Sequence, residues 1–473
     1  MIKVLSVTSE CAPLVKTGGL ADVAGALPLA MAAHGVEMRT LLPGYPEVLK
    51  QLKKPECVMA IPNIFGGNIS VLASKVAGLD LLVLDAPHLF DRAGNIYAGY
   101  DGADWVDNPE RFSALCQVAA KIARDGVDGW QPDVCHGHDW QAGLMSEYMR
   151  KDKNRPATVM TVHNIAFQGL ADPKSLGKLG LDPYRFTRDG FEFWGKISAL
   201  KAGLMSADRI TTVSKTYATE LMTPEFGMGM EGVIDARRDV LSGIVNGIDD
   251  VMWNPATDTA ITPYKTAAGK SKNKAALQTE FGLNKSNGPL CVVVSRLTEQ
   301  KGLDLLLQAL PTLLDRGGQL VVLGSGDSAL EAAFRAEMRH ENVAVHIGYN
   351  EDMSHRVIAG GDAILVPSRF EPCGLTQLYA LRYGTVPLVS LTGGLADTVI
   401  NASPAALAMK CATGVQMFPV TANALSVALT DLCDLYADKP TWKMLQRNGM
   451  KQPVDWTASA GAYAAIYKDL VKS

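Results

Sequence analysis

The chain alternates between short apolar runs and longer segments in which apolar residues recur at helical spacing. In the first half, the apolar runs are β-branched and nearly continuous, at residues 3–9, 38–43, 80–86, 133–138, 158–164 and 209–214. Runs of this kind are typical of parallel strands that are covered on both faces. Segments of helical length lie between several of them, at 20–33, 110–124 and 139–150. This alternation predicts βαβ units and a parallel sheet.

The second half repeats the pattern, with strands predicted at 289–297, 319–326, 343–349, 362–368 and 385–390. Between the halves, residues 242–258 are rich in Gly, Asn, Asp and Pro, which indicates a hinge. We therefore predict an α/β fold of two doubly wound, Rossmann-like domains, residues 1–243 and 244–454, that face a central cleft. A last helix is expected within 455–473, and its pattern leaves open which domain it packs on. Ligands of such sheets bind beyond the carboxyl ends of the strands.

Composition narrows the classes of protein. A chain of 473 residues is long enough for two cores, and its 47% hydrophobic and 20% charged residues are ordinary for a globular protein. The net charge of −4 and the lack of a Lys/Arg block argue against a nucleic-acid partner. Eight scattered cysteines without a Cys-x-x-Cys pair are typical of reduced thiols in the cytoplasm. We expect no membrane partner, because no apolar run approaches the roughly 18 residues of a spanning helix.

The hexapeptide Thr-Gly-Gly-Leu-Ala-Asp occurs twice, at 17–22 and at 392–397. In each copy a predicted strand ends before the two glycines, and a helix is expected to begin at the leucine. Gly18-Gly19 and Gly393-Gly394 would let backbone N–H groups approach an anion, and Lys16 adds a positive charge beside the first pair. We expect both loops to bind one anionic ligand, and the alternative is that both are only tight strand-to-helix turns.

Further candidate groups follow predicted strands of the second half. Arg296 and Lys301 flank a strand-to-helix turn, where two cations can bind one diphosphate or remain solvated on the surface. Glu371 follows the strand at 362–368 and could bind sugar hydroxyls or cap the next helix. Cys373 has no neighbouring histidine in the sequence, which favours packing or a backbone contact over a nucleophile.

Three histidines and an aspartate end neighbouring strands of the first half: His136, His138, Asp139 and His163. We favour polar groups that line a sugar pocket over structural histidines, and either over a zinc site. The sequence Gly-Met-Gly-Met-Glu-Gly at 227–232 matches the dinucleotide fingerprint, but no predicted strand precedes it. We interpret it as a plain glycine-rich loop.

Seven segments together resemble the family of bacterial glycogen synthases and plant starch synthases. They are KTGGLADV, HDWQAGL, TVHNIAFQG, NGID, SRLTEQKG, SRFEPCGLTQLYALRYG and TGGLADTV. The resemblance covers nearly the whole chain in order. It implies the GT-B fold and a retaining transfer of glucose from ADP-glucose to the non-reducing 4-hydroxyl of glycogen or a malto-oligosaccharide. It also implies that no metal or other cofactor is needed, because basic side chains hold the diphosphate.

The resemblance also implies roles for individual residues. The implied catalytic residues are Glu371, His163, Asp139, Arg296 and Lys301. The implied substrate-binding residues are Glu10, Lys16, Gly18, Gly19, Asp22, Tyr97, Asn164, Asn246, Tyr349, Cys373, Gly374, Leu375, Thr392, Gly393 and Gly394. Among these, Tyr349 would lie near adenine, His163 beside the anomeric carbon, and Glu10 and Asp139 on the acceptor side.

The chain departs from the wider GT-B pattern at Tyr379. Many retaining enzymes of this fold carry a second glutamate there, and the glycogen and starch synthases share the replacement. Without paired carboxylates, we favour a front-face displacement in which the leaving phosphate helps to deprotonate the acceptor. Trp194 and Ala199 are also unusual for the family. The alternatives are a nucleotide-sugar epimerase, a sucrose-type transferase, or a sugar-binding protein without catalysis.

Overall fold

In a computed structural model that describes residues 1–100 and 102–472, the apolar runs of the first half are strands of one sheet. They belong to a unit formed by Met1–Gly247 and the segment that begins at Trp456, here called the N-terminal unit. Its strands are β1 (Ile2–Val7), β2 (Val36–Pro43), β3 (Glu56–Ile64), β4 (Gly67–Val76), β5 (Leu79–Asp85), β6 (Val134–His138), β7 (Ala157–Val162), β8 (Leu170–Ala171), β9 (Glu192–Phe193), β10 (Lys196–Ser198), β11 (Arg209–Thr212) and β12 (Leu241–Gly243). Its first nine helices are α1 (Gly19–Met31), α2 (Pro46–Gln51), α3 (Pro87–Phe90), α4 (Asn108–Asp125), α5 (Asp139–Met149), α6 (Leu176–Leu179), α7 (Ala199–Ser206), α8 (Lys215–Glu220) and α9 (Glu231–Ala236), counted within the described residues.

The main sheet of the N-terminal unit has the strand order β12-β11-β7-β6-β1-β2-β5-β4-β3. Its pairs are parallel except β5–β4 and β4–β3, which are antiparallel. Because β1 pairs with β2 on one side and with β6 on the other, the strand order reverses between β1 and β6. In doubly wound sheets this reversal opens a crevice at the carboxyl ends of the two strands.

The hairpin β3–β4 and the small sheet β8-β10-β9 were not predicted. Every residue of β3 is exposed or half-buried, so the rule for strands that are covered on both faces does not apply to it. The strands of the small sheet have two or three residues each, which is too short for a pattern.

The second unit spans Ile248–Asp455. Its strands are β13 (Leu290–Val294), β14 (Gln319–Gly324), β15 (Val343–Ile347), β16 (Ala363–Val366), β17 (Val386–Ser390) and β18 (Val415–Met417). Its helices are α10 (Lys270–Glu280), α11 (Leu303–Asp315), α12 (Ser328–Glu337), α13 (Glu351–Gly360), α14 (Thr376–Arg382), α15 (Gly393–Thr398), α16 (Pro404–Ala408), α17 (Ala422–Ala437) and α18 (Lys439–Lys451). The order β15-β14-β13-β16-β17-β18 is parallel throughout and reverses between β13 and β16. The short strand β18 was not predicted.

The last helix, α19 (Thr457–Lys472), packs in the N-terminal unit. Its buried residues Tyr463 and Tyr467 share a hydrophobic cluster with Val4 of β1 and Leu27 of α1. The Tyr467 hydroxyl lies 2.7 Å from Nδ1 of His136, so the helix is also fixed by a buried polar contact. Among the helices of the described residues, none has the length and apolarity needed to cross a bilayer.

We expect Tyr467→Phe to destabilise the protein, because it removes the partner of a fully buried ring nitrogen. An unsatisfied buried polar group costs about 1–3 kcal/mol, and the substitution changes little else in packing volume. Thermal unfolding followed by calorimetry measures the effect. Tyr184→Phe, at a residue that is 92% exposed, is the matched control. Equal unfolding temperatures for the two variants would contradict the assignment.

Candidate active site

Both sheets carry chemically active side chains where the strand order reverses. In the N-terminal unit, Glu10 follows β1, Asp139 follows β6 and His163 follows β7. In the second unit, Lys301 follows β13 and Glu371 follows β16. Because the carboxyl ends of parallel strands meet at one edge, each unit gathers these groups in its own crevice.

Glu10 holds the first glycine loop. Its side chain is buried, and its Oε2 accepts hydrogen bonds from the backbone N–H of Thr17 at 2.5 Å and of Gly18 at 3.2 Å. The Thr17 hydroxyl donates to the same carboxylate at 3.0 Å. Burial raises the pKa of Glu10, while these hydrogen bonds oppose the rise. One of the N–H groups that the sequence suggested for a ligand anion, that of Gly18, therefore binds a carboxylate of the chain itself, as does the N–H of Thr17.

Two more predicted residues lie at this loop. The Tyr97 hydroxyl donates to Glu10 Oε1 at 3.2 Å and lies 2.7 Å from the Ser9 hydroxyl. Lys16 forms an ion pair with Asp22, with 2.8 Å between Nζ and Oδ1. Glu10, Lys16, Asp22 and Tyr97 are thus gathered around the first hexapeptide.

The three histidines, of which His136 and His138 are buried and His163 is half-buried, contact one another rather than forming an open ligand set. The rings of His136 and His138 have centroids 4.2 Å apart, and Nδ1 of His138 lies 3.1 Å from Nε2 of His163. Both nitrogens of His136 are engaged, one by Tyr467 and the other by Thr161 at 2.6 Å. Burial lowers the pKa of His138 to about 3 and keeps those of His136 and His163 well below their ordinary value. All three rings are therefore neutral at neutral pH.

Metal binding is not suggested by this arrangement. Nε2 of His138 is hydrogen-bonded to the Ser6 hydroxyl at 3.2 Å, so both of its nitrogens are also engaged. Across residues 1–100 and 102–472, no group of three or more His, Cys, Asp or Glu side chains is arranged to hold a metal ion.

Asp139 adopts an unusual backbone conformation at the turn from β6 to α5. Its φ is +54°, in the left-handed region that an aspartate can enter more readily than most residues. Its Oδ1 accepts the backbone N–H of His163 at 2.6 Å and of Asn164 at 3.4 Å. Burial raises the pKa of this partly exposed carboxyl to about 7, despite those two hydrogen bonds. Asp139 thereby joins the predicted residues His163 and Asn164.

In the second unit, Lys301 and Glu371 form a partly buried ion pair. Nζ of Lys301 lies 2.5 Å from Oε2 of Glu371, and the Ser368 hydroxyl donates to the same oxygen at 2.8 Å. Arg296, five residues before Lys301, is exposed, and no ion pair or hydrogen bond of its guanidinium is found within the described residues. The structure thus pairs one predicted cation with the predicted acid and leaves the other at the surface.

The second glycine loop packs directly on the backbone that follows Glu371. Gly394 N–H donates to the carbonyl oxygens of Glu371 and Pro372, each at 3.0 Å. A Cβ on Gly393 would lie 2.0 Å from the Glu371 oxygen, and one on Gly394 would lie 2.2 Å from the Cys373 oxygen. No side chain fits at either position, so these glycines are needed for close approach of two backbones.

The loop from Cys373 to Leu375 leads into α14 and is held by Gln377. The Gln377 amide donates to the carbonyl oxygens of Cys373 at 3.1 Å and Gly374 at 2.9 Å. Gly374 has a φ of +72°, and a Cβ there would meet the Gln377 side chain at 2.4 Å.

The two copies of the hexapeptide therefore use their glycines differently. Gly18 is exposed and extended, and a Cβ built on it would meet no atom within 4 Å. Gly393 and Gly394 are buried with no room for a Cβ. Only the first loop leaves open space at a glycine, where a ligand can approach the backbone.

Tyr379 lies in an aromatic stack. Its ring is parallel to Trp253, with centroids 3.7 Å apart, and His355 stacks on the other face of Trp253 at 3.8 Å. Asp258 accepts hydrogen bonds from Tyr383 at 2.6 Å and lies 2.7 Å from His355 Nδ1. Tyr379, which stands where many retaining GT-B enzymes have a glutamate, is therefore a packing residue.

The remaining predicted residues are more scattered. Tyr349 is 63% exposed and hydrogen-bonds to Glu351. Asn246 is buried at the end of the N-terminal unit, where its Oδ1 finds no hydrogen-bond partner among the described residues. Thr392 is buried beside the second glycine pair. The residues 227–230 follow turn residues rather than a strand, as predicted, and residues 231–232 begin α9.

Sequence reasoning missed Ser368, Thr17 and Trp253. Ser368 lies three residues before Glu371 and Thr17 belongs to the repeated hexapeptide, so position beside a candidate acid or loop is a signal for both. No local signal identifies Trp253, because its partners Tyr379 and His355 are more than a hundred residues away in the sequence.

Comparisons with known proteins agree along the whole chain. The family model for the starch synthase catalytic domain matches residues 3–236, and the model for glycosyl transferases group 1 matches residues 277–450. The glycogen synthase of Jannaschia sp. (strain CCS1) is 62% identical over 469 residues, and that of Paracoccus denitrificans (strain Pd 1222) is 60% identical over 470. Each match covers 99% of both chains.

Solved structures show the same fold. The catalytic domain of starch synthase IV from Arabidopsis thaliana, solved bound to ADP and acarbose, matches with a TM-score of 0.90 and 29% identity, covering 100% of both chains. A sucrose-phosphate synthase from Thermosynechococcus elongatus matches with a TM-score of 0.60 at 18% identity, which shows the fold alone.

The two Rossmann-like units, with charged groups at their strand-order reversals, define a glycosyltransferase of the GT-B class. Within that class, the chain belongs to the family of glycogen synthases and starch synthases. It is therefore an enzyme of that family, as the sequence resemblance predicted.

We expect alanine substitutions in the two copies of the hexapeptide to differ. Gly18→Ala should change the free energy of unfolding by no more than about 1 kcal/mol, the usual range for a helix N-cap, because its Cβ enters open space. Gly394→Ala should cost about 3 kcal/mol, typical of overpacking, because its Cβ would press on the Cys373 carbonyl. Calorimetric unfolding of both variants measures this. Losses of equal size would show that the two loops are not distinguished by packing.

Stability should depend on pH through the three histidines. The folded rings stay neutral, whereas unfolded histidines take up protons below their ordinary pKa of 6.5. Their contribution is therefore fully present above pH 6.5 and is lost as pH falls toward 3, by up to about 1.4 kcal/mol per pH unit for each proton. Urea unfolding at several pH values from about 5 to about 7 measures how steeply the free energy of unfolding depends on pH.

His138→Gln should make the free energy of unfolding depend less steeply on pH, because only two of the three histidines then take up a proton on unfolding. His340→Gln, at an exposed histidine of the second unit, is the control and should leave the slope unchanged. A His138→Gln slope equal to that of the unsubstituted protein would mean that this ring is not held neutral by the fold.

Proposed function

We propose that this chain is a retaining glucosyltransferase that moves glucose from ADP-glucose to the non-reducing 4-hydroxyl of an α-1,4-glucan and releases ADP. The observation that carries the proposal is the Lys301–Glu371 pair at the strand-order reversal of the second unit, with Arg296 exposed nearby in the sequence. The cations Lys301 and Arg296 can bind a diphosphate, and the Glu371 carboxylate can accept hydrogen bonds from sugar hydroxyls. The ADP and acarbose bound by the Arabidopsis relative, and the glycogen synthases at about 60% identity, support this donor and acceptor.

The proposed chemistry depends on where charge develops. Cleavage of the glucose–phosphate bond places negative charge on the departing diphosphate and positive charge on the sugar. Arg296, Lys301 and Lys16 would stabilise the departing ADP, and fixed cations do this without reorganisation during the reaction. Glu371 would hold the glucose hydroxyls, with its orientation fixed by Ser368 and Lys301.

We propose front-face displacement rather than a covalent glucosyl–enzyme intermediate. Tyr379 cannot supply a nucleophilic carboxylate, since its side chain is a phenol, and its ring is stacked on Trp253. The acceptor hydroxyl would attack from the side of the leaving phosphate, lose its proton to that phosphate and form the new bond with retained configuration. Neutral His163 beside Asp139 would bind the substrate near the anomeric carbon by hydrogen bonds.

No metal is required in this proposal, because the basic side chains provide the positive charge. We also propose a cytoplasmic location. All eight cysteines are free thiols, and most of them are buried, which suits a reducing compartment.

The deciding experiment compares ADP-glucose with UDP-glucose on a glycogen primer, with and without EDTA. The proposal predicts glucan elongation and ADP release with ADP-glucose, undiminished by EDTA. Sensitivity of the added glucose to an α-specific glucoamylase tests retention. Strict dependence on Mg²⁺, or release of free glucose without elongation, would reject it.

Arg296→Ala tests the diphosphate role without disturbing the fold. Because the side chain is exposed and makes no hydrogen bond or ion pair within residues 1–100 and 102–472, unfolding should be unchanged, whereas kcat should fall about 10²–10³-fold, as for other groups that stabilise a developing anion. Arg339→Ala, at another exposed arginine of the second unit, is the matched control. Activity retained by Arg296→Ala would remove this residue from the mechanism.

A further inference from the structure

Trp194 occupies a turn that does not suit a bulky residue. It lies between β9 and β10, where Phe193 pairs with Lys196 and only two residues connect the strands. Trp194 has a φ of +49° and Gly195 a φ of +74°. Two-residue hairpins with positive φ at both positions favour Asn, Asp or Gly, and a bulky residue at positive φ is a true outlier. Such outliers are often found at functional sites.

Burial does not offset this unfavourable conformation. The Trp194 side chain is 83% exposed, so folding removes little of its apolar surface from water. A second bulky residue, Met228, also has a positive φ, +49°, and is 40% exposed. A Cβ built on Gly229 would lie 3.1 Å from Phe193 Cζ and 3.3 Å from Trp194 Nε1, so the two loops touch. Phe193, Trp194, Met228 and Gly229 are called the aromatic patch below.

The aromatic patch is joined to the acceptor-side residues of the N-terminal unit by one short segment. The Gln168 side-chain amide donates to the backbone carbonyl of Met228 at 3.1 Å. The backbone carbonyl of Gln168 accepts a hydrogen bond from the Ser198 hydroxyl at 3.0 Å. Only three residues separate Gln168 from Asn164, whose N–H donates to Asp139. Between them, Phe167 is 54% exposed. An apolar surface thus begins next to the predicted acceptor groups.

We propose that the aromatic patch is a binding subsite for the α-1,4-glucan acceptor, beyond the residues that contact its reacting end. Pyranose rings present apolar C–H faces that stack on an indole ring. Their hydroxyls can bind the Gln168 amide and the Glu192 carboxylate, which accepts the backbone N–H of Gly195 at 2.7 Å. An exposed apolar patch bordered by such polar groups is typical of a ligand-binding surface. The inference rests on the proposed function, which supplies the glucan, and the continuity with Asn164 and Asp139 favours this occupant over a second copy of the chain.

The test measures binding of maltoheptaose to the full chain by calorimetry, without any donor, so that it does not depend on turnover. Trp194→Ala should weaken binding about tenfold, the effect expected when one well-placed aromatic contact is lost. Trp194→Phe, which keeps a stacking ring, should recover most of the affinity. In the elongation assay, the KM for glycogen should rise with Trp194→Ala by a similar factor.

Tyr184→Ala is the matched control, since Tyr184 is an equally exposed aromatic residue of the same unit. It should leave maltoheptaose affinity unchanged, and an equal loss in this variant would overturn the assignment to the patch. Unchanged affinity in Trp194→Ala would also overturn it, including the case in which sedimentation shows that this variant dissociates an oligomer. If the chain binds maltoheptaose through Trp194 but does not elongate glucan from ADP-glucose, the subsite stands and the proposed function falls.

Discussion

The hydrogen bonds that fix the two Thr-Gly-Gly loops on glutamates are the constraint on which both candidate sites depend. Backbone N–H groups are strong donors that need acceptors. The Glu10 carboxylate supplies them for Thr17 and Gly18, whereas the backbone carbonyl of Glu371 supplies one for Gly394. In the second unit, this arrangement leaves the Glu371 carboxylate available to Lys301. A substrate therefore meets loops whose positions are already set, which is the condition for electrostatic stabilisation without reorganisation.

The sequence predicted the parallel parts of both sheets because strands covered on two faces have nearly continuous apolar residues. Strands β1, β6, β7 and β13–β17 follow this rule. It does not apply to β3, which is largely exposed, or to β8 and β18, whose few residues carry no period. The packing partner of α19 was also out of reach, because its contact between Tyr467 and His136 joins residues 331 positions apart.

The sequence could predict where the candidate site lies but not which of its side chains contact one another. Placement after strands pointed to Lys301, Glu371, Asp139 and His163, since strand ends are where such folds bind ligands. The sequence could not show that Lys301 pairs with Glu371. Nor could it distinguish two identical hexapeptides, because what surrounds Gly18 and Gly394 is set by distant backbone. Identity of sequence fixes local geometry only where the tertiary surroundings are also alike.

The Trp253 stack gives a physical reason why a tyrosine suits position 379. The face of an indole ring carries the negative part of its quadrupole, so a glutamate carboxylate pressed on that face would be repelled and desolvated. A tyrosine ring instead completes a three-ring stack with His355, whose Nδ1 lies 2.7 Å from the Asp258 carboxylate. The stack anchors residues 253–258 to α13 and α14 within the second unit. Because this packing leaves no second carboxylate at position 379, the front-face displacement proposed above does not rely on a pair of acids, and the proposed role of the basic side chains depends on their placement.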